Sequence, residues 1–149
     1  MRKKENGFTL IELMVTIAVL AIIAMMAAPA FRDMMLRQNL NSSSQELIAV
    51  LTQARAKAVL ERRVVEVQLS TVRLDTPVGN TEDELNWMPK GNAVLVSSPT
   101  SIQFAINGSV QGANSDTTFN ICNEAGGSIS RIVSISRMGT IQQVAEGTC

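Results

Sequence analysis

An apolar run near the start of the chain constrains its fold more than any other feature. Leu13 to Phe31 is nineteen residues without a charge; from Phe8 the span is twenty-four with one charge, Glu12. A helix of that length crosses a bilayer. A cleaved secretory signal is the bland alternative, with an apolar region of about 7–15 residues before a small-residue cleavage site. This run is longer, although "AMMAAPA" would pass as such a site. A buried core helix accounts poorly for the basic start. Arg2, Lys3 and Lys4 precede the run. A basic flank stays cytoplasmic, so the remainder is expected on the far side of the membrane. A carboxylate in hydrocarbon is costly unless it has a partner, and such residues mark function by default. Glu12 is therefore the first candidate functional residue.

Pro29 lies inside the run. It lacks an amide hydrogen and crowds the preceding turn, and in a membrane helix it usually makes a kink. A helical pattern resumes beyond it, which favours a kink over a helix end. Between Arg32 and about Arg62, Leu47, Leu51, Ala54 and Ala58 recur at steps of four, three and four. They form one apolar stripe, widened by Ile48 and Val59, with Arg55, Lys57, Glu61 and Arg62 mainly off it. Ser43 and Glu46 have capping-box spacing. The first sixty residues are thus expected to form one long helix or two nearly collinear pieces, apolar all round and then amphipathic.

After Arg63 the period changes to two. "VVEVQLSTVRLD" reads as one or two strands, and "TPVGNTEDELNWMPKGN", rich in turn formers and acid, as a loop. Trp87 in that loop is expected to anchor it on the core. "AVLVSS", "SIQFAI", "TTFNIC", "RIVSIS" and "TIQQVA" are short β-branched runs bounded by turn formers. Asn107-Gly108 is a hairpin signal; with Ser109 it is also a glycosylation sequon, but the turn is the more economical reading. Gly126-Gly127 and Met138-Gly139 mark further turns. The order is a long helix, then five to seven strands. The sheet needs cover, which the amphipathic half of the helix supplies. The fold class is α+β.

Charge and composition narrow the function. Lys plus Arg and Asp plus Glu each total 13, and from Phe8 onward there are 10 basic and 12 acidic side chains. Proteins that hold DNA by bulk charge usually carry a positive footprint. There is no His and no Tyr, and no phosphate loop or metal cluster. After the leader only Lys57 and Lys90 remain as lysines. An enzyme, a metal or a cofactor is not expected. Cys122 and Cys149 are the two cysteines. A pair in a small exported domain favours one disulfide, the alternative being two thiols in a reducing compartment. The membrane segment points to the disulfide, which would close a loop of 28 residues and add about 3 kcal/mol in the chain-entropy model.

"GFTLIELMVTIAVLAIIA" strongly resembles the N-terminus of type IV pilins and type II secretion pseudopilins. In those precursors a basic leader ends in Gly. A prepilin peptidase cuts after it and methylates the new terminus, usually a Phe. The matching residues are Gly7 and Phe8. The family places a Glu at the fifth mature position, here Glu12, and commonly a Pro along the apolar helix, here Pro29. Beyond the first thirty residues, "SIQFAINGSV", "TTFNIC" and "RIVSISRMGTI" look like the GspH/FimT family of minor pilins and pseudopilins. A C-terminal cysteine bonded to an earlier strand also suits FimU-like minor pilins.

The resemblance implies a type IV pilin-like fold. Residues 1–7 would be the leader, 8–31 the transmembrane and filament-core helix, and 32–149 the periplasmic domain, helical to about 62 and β-rich over 63–149. It implies a non-catalytic subunit of a type IV pilus that primes assembly or sits near the tip; an H-type minor pseudopilin of a type II secretion system is the alternative. Expected partners are other minor and major pilins or pseudopilins, prepilin peptidase, the inner-membrane assembly platform, and membrane lipid before assembly. The chain would then move from the inner membrane to the filament and cell surface. Glu12 of one subunit would pair with the methylated amine of a neighbour's Phe8. Some FimT-type members bind DNA for uptake, apparently through a C-terminal Gly-Arg-x-Arg motif. The matching Gly139-Thr140-Ile141-Gln142 lacks both arginines. Arg131 and Arg137 lie nearby as candidate DNA contacts, but two arginines are a weak electrostatic footprint and equally well solvate a strand face.

Overall fold

The computed structural model describes residues 8–97 and 99–149. The chain divides into two compact units, one ending at Met35 and one from Leu36 to Cys149. Helix α1, Leu10–Glu61, contributes to both. The helix continues through Pro29 and through Ser43. The sequence allowed a second helix start at Ser43. Instead the Ser43 hydroxyl donates to the Asn39 carbonyl at 2.7 Å, within an unbroken helix. It also accepts from the Lys90 amide at 2.8 Å, while Lys90 Nζ meets Glu46 at 3.2 Å. The spacing that looked like a cap thus serves a tertiary contact.

In the first unit the helix is apolar and bare. Its apolar window has a mean hydropathy of 2.6 and no buried residue. In the second unit Leu36, Leu40, Leu47, Leu51, Ala54 and Ala58 are buried, which is the expected stripe extended towards the N-terminus as far as Leu36. Ile48 packs against the core. Val59 stays 45% exposed, so it does not widen the stripe. The helix ends as Arg62 takes a left-handed φ of 52°. Arg63 then pairs with Glu61, and with Glu82 and Asp83 at 3.2 and 2.9 Å.

Seven strands follow. They are β1 (Val65–Leu69), β2 (Glu84–Trp87), β3 (Val94–Leu95), β4 (Ser101–Phe104), β5 (Thr117–Cys122), β6 (Ser130–Ile135) and β7 (Ile141–Gly147). One sheet has the order β2-β1-β4 and the other β3-β5-β6-β7. All pairings are antiparallel except β1 with β2, which is parallel. Strand β2 lies inside the stretch expected to be loop. It forms because Leu85 and Trp87 alternate with Glu84 and Asn86, burying one face. "VVEVQLSTVRLD" yields one strand, β1, whose Val65, Val67 and Leu69 point inward. The second unit's core joins these side chains to Phe104, Phe119, Ile121, Val133 and Ile135. Trp87 is 3% exposed and donates Nε1–H to the Ser43 carbonyl at 3.2 Å. It is the expected anchor, placed on a strand.

Candidate functional site

The chemistry at the N-terminal end of α1 is local. Thr9 is the N-cap. Its hydroxyl accepts from the Glu12 amide at 3.3 Å. The Glu12 carboxylate reaches back and accepts from the Thr9 amide at 3.0 Å and the Thr9 hydroxyl at 2.8 Å. This is a capping box: two orphan amides of the first turn are satisfied reciprocally. A carboxylate there also faces the positive end of the helix dipole. The charge in the apolar run therefore has a partner within its own subunit. The signal was in the sequence as Thr9-Leu10-Ile11-Glu12, ahead of an apolar run. A reading of Glu12 as the partner of the Phe8 amine passes over it. Phe8 is 83% exposed beside this cap. Gly7 lies outside the described residues.

The other candidates are dispersed. Cys122, at the end of β5, is bonded to Cys149, with Cα atoms 5.9 Å apart. Ser130 Oγ donates to the Thr148 carbonyl at 3.2 Å and helps hold the tail. Arg131 is already engaged, its Nε donating to Asn41 Oδ1 at 3.0 Å and its Nη1 meeting Glu146 at 3.0 Å. Arg137 is exposed, and its carbonyl accepts from the Val110 amide at 2.9 Å. Arg131 lies within β6 and Arg137 in the turn that follows it, and among the described residues no contact joins the two. Gly139 has a structural reason of its own. It is buried with φ +78°, and a Cβ there would collide with the Gly108 carbonyl oxygen. Arg55 Nε donates to that same oxygen at 3.2 Å.

The capped apolar helix and the sheet domain define a class, and sequence comparison defines it further. Residues 2–28 match the prokaryotic N-terminal methylation motif, the mark of prepilin-type precursors. Residues 43–139 match the model described as type II transport protein GspH, and the chain belongs to that family. Pilin and pseudopilin families are structural, non-catalytic subunits that assemble with other pilins after prepilin peptidase processing. The motif and the apolar helix suggest a membrane-anchored pilin. A type IV major alpha-pilin of Moraxella bovis is 34% identical over 104 residues, 70% of this chain and 64% of that one. A fimbrial protein of Pseudomonas aeruginosa is 36% identical over 85 residues, 56% of this chain and 53% of that one. The chain thus spans about half to two thirds of these relatives' length. The solved type IV minor pilin FimU of Pseudomonas aeruginosa is 26% identical with a TM-score of 0.46, covering 71% of this chain and 92% of that one.

Proposed function

We propose that this chain is a minor, non-catalytic subunit of a type IV pilus. The carrying observation is the bare apolar helix with Glu12 held at its N-terminus beside Phe8. An apolar surface of this length needs lipid or other helices around it. Cleavage after Gly7 would free the Phe8 amine, and methylation leaves it positive. In the filament core Glu12 then exchanges its Thr9 contacts for a neighbour's amine. Pairing offsets the desolvation of both charges and fixes the axial register. Pro29 removes one backbone bond and serves as a soft point where the helix bends on entering the filament. In this reading residues 1–7 are the leader and 8–31 the membrane and core segment. Residues 32–149 are the periplasmic domain, which supplies the specific contacts. The relatives named as a pilin and fimbrial protein support the pilus assignment.

A second reading, a minor pseudopilin of a type II secretion system, is favoured by the description of the matched family. A deletion strain complemented with the wild-type chain separates the two. Loss of surface pili with secretion intact is expected; loss of secretion with pili intact overturns the pilus assignment. DNA uptake receives no support from Arg131, which is held by Asn41 and Glu146.

A further inference from the structure

Beside β4 lies a cavity of about 320 Å³. Strand β4 pairs with β1 through its even-numbered residues: Val65 opposes Phe104, Val67 opposes Ile102, and the Leu69 amide reaches the Thr100 carbonyl at 2.8 Å. Its odd-numbered residues direct their amides and carbonyls outward, because these directions alternate along a strand. The Gln103 carbonyl accepts from the Gln111 amide at 2.8 Å, and the Ala105 amide donates to the Ser109 carbonyl at 2.9 Å. Residues 109–111 therefore fill part of the lane outside β4. The chain then leaves the lane at Gly112, whose φ is +73°. Ser101 shares the parity of Gln103 and Ala105. Among the described residues, its outward amide and carbonyl have no backbone hydrogen-bond partner. Ser101 lines the cavity, as do Gln103, Gln111, Gly112 and Ala113.

We propose that this open lane outside β4 seats an extended, uncharged main-chain segment of a neighbouring filament subunit. This rests on the filament reading above. Strand addition draws affinity from main-chain hydrogen bonds and specificity from the side-chain surroundings. Two or three extended residues, each advancing about 3.3 Å, continue the line of 109–111 past Ser101. None of the nine lining residues is charged. Burying a charged side chain there leaves it unpaired, so the surroundings select against one. Ile102 and Val110 give an apolar floor, at 4% and 8% exposure, and Gln111 and Thr117 stand at the rim.

The test uses the full chain in cells that make the filament. A photo-crosslinking p-benzoylphenylalanine is placed at Gln111 and, as a control, at exposed Asp75. Irradiated filaments are sheared and adducts identified by mass spectrometry. The expected result is an adduct from the Gln111 site to a pilin-like subunit, at least five-fold above control. Adding Ser101→Pro deletes the outward amide without touching the β1 ladder, and should cut that adduct at least five-fold. Retained Trp87 fluorescence and an intact disulfide show that this variant has folded. Yields equal to control, or an adduct unaffected by Ser101→Pro, overturn the seat alone. Absence of the wild-type chain from the sheared filaments overturns the filament reading, and the seat with it.

Discussion

Gly139 and Gly126 form a matched pair that separates backbone strain from tertiary packing. Both sit at positive φ, +78° and +71°. An added Cβ meets nothing within 4 Å at Gly126. At Gly139 it collides with the Gly108 carbonyl and stands 3.1 Å from Arg55 Cδ. Gly126→Ala therefore incurs only the left-handed backbone penalty, about 1–2 kcal/mol. Gly139→Ala incurs the same penalty plus overpacking of about 1–3 kcal/mol. It also strains the Arg55 bond to Gly108, for a total of about 3–5 kcal/mol. At roughly 4 °C per kcal/mol for a domain of this size, melting falls by about 4–8 °C and 12–20 °C respectively. The assay is thermal unfolding of the full chain in detergent micelles. Trp87, the only tryptophan and a buried one, serves as the fluorescent probe. Equal shifts for the two variants would refute the claim that Gly139 is required by its contact with the neighbouring turn.

Trp87→Phe keeps most of the buried ring but removes the bond to the Ser43 carbonyl. About 1 kcal/mol of destabilisation is expected, read by chemical denaturation with circular dichroism. Leu47→Ala, at 0% exposure, should cost about 2–5 kcal/mol in the same assay, while Val59→Ala at 45% exposure should cost under about 1 kcal/mol. Cys122→Ser should lower stability by about 3 kcal/mol, and mild reduction of the wild type should lower the melting temperature by a similar amount. Arg131→Ala should leave DNA retention in a mobility shift unchanged, because its guanidinium serves Asn41 and Glu146.

Much of the architecture could be read from local pattern. The stripe Leu47, Leu51, Ala54, Ala58 is the buried face of the helix, and the turns at Asn107-Gly108, Gly126-Gly127 and Met138-Gly139 lie where expected. What escaped depended on distant partners. Strand β2 is four residues within an acidic, turn-rich stretch, and it exists because β1 and the core receive Leu85 and Trp87. Ser43 looked like a cap because spacing does not reveal whether a hydroxyl faces a helix end or the Lys90 amide. Val59 lies one residue past Ala58 and turns outward as the stripe ends. The Thr9 and Glu12 cap is the opposite case: its Thr-x-x-Glu spacing is wholly local, yet a reading of Glu12 as the partner of a terminal amine passes over it.

The central claim is that Glu12 acts by its charge in assembly, beyond its role as a cap. Glu12→Gln separates these roles, because Gln also completes a capping box but has no charge to pair with an amine. The decisive measurement is the amount of each variant in sheared filaments, with leader cleavage checked by N-terminal mass. The account expects Glu12→Gln and Glu12→Ala both to be cleaved normally and both to fall at least ten-fold below wild type in the filament fraction. Glu12→Gln entering filaments as well as wild type would contradict it and leave the cap as the whole role of Glu12.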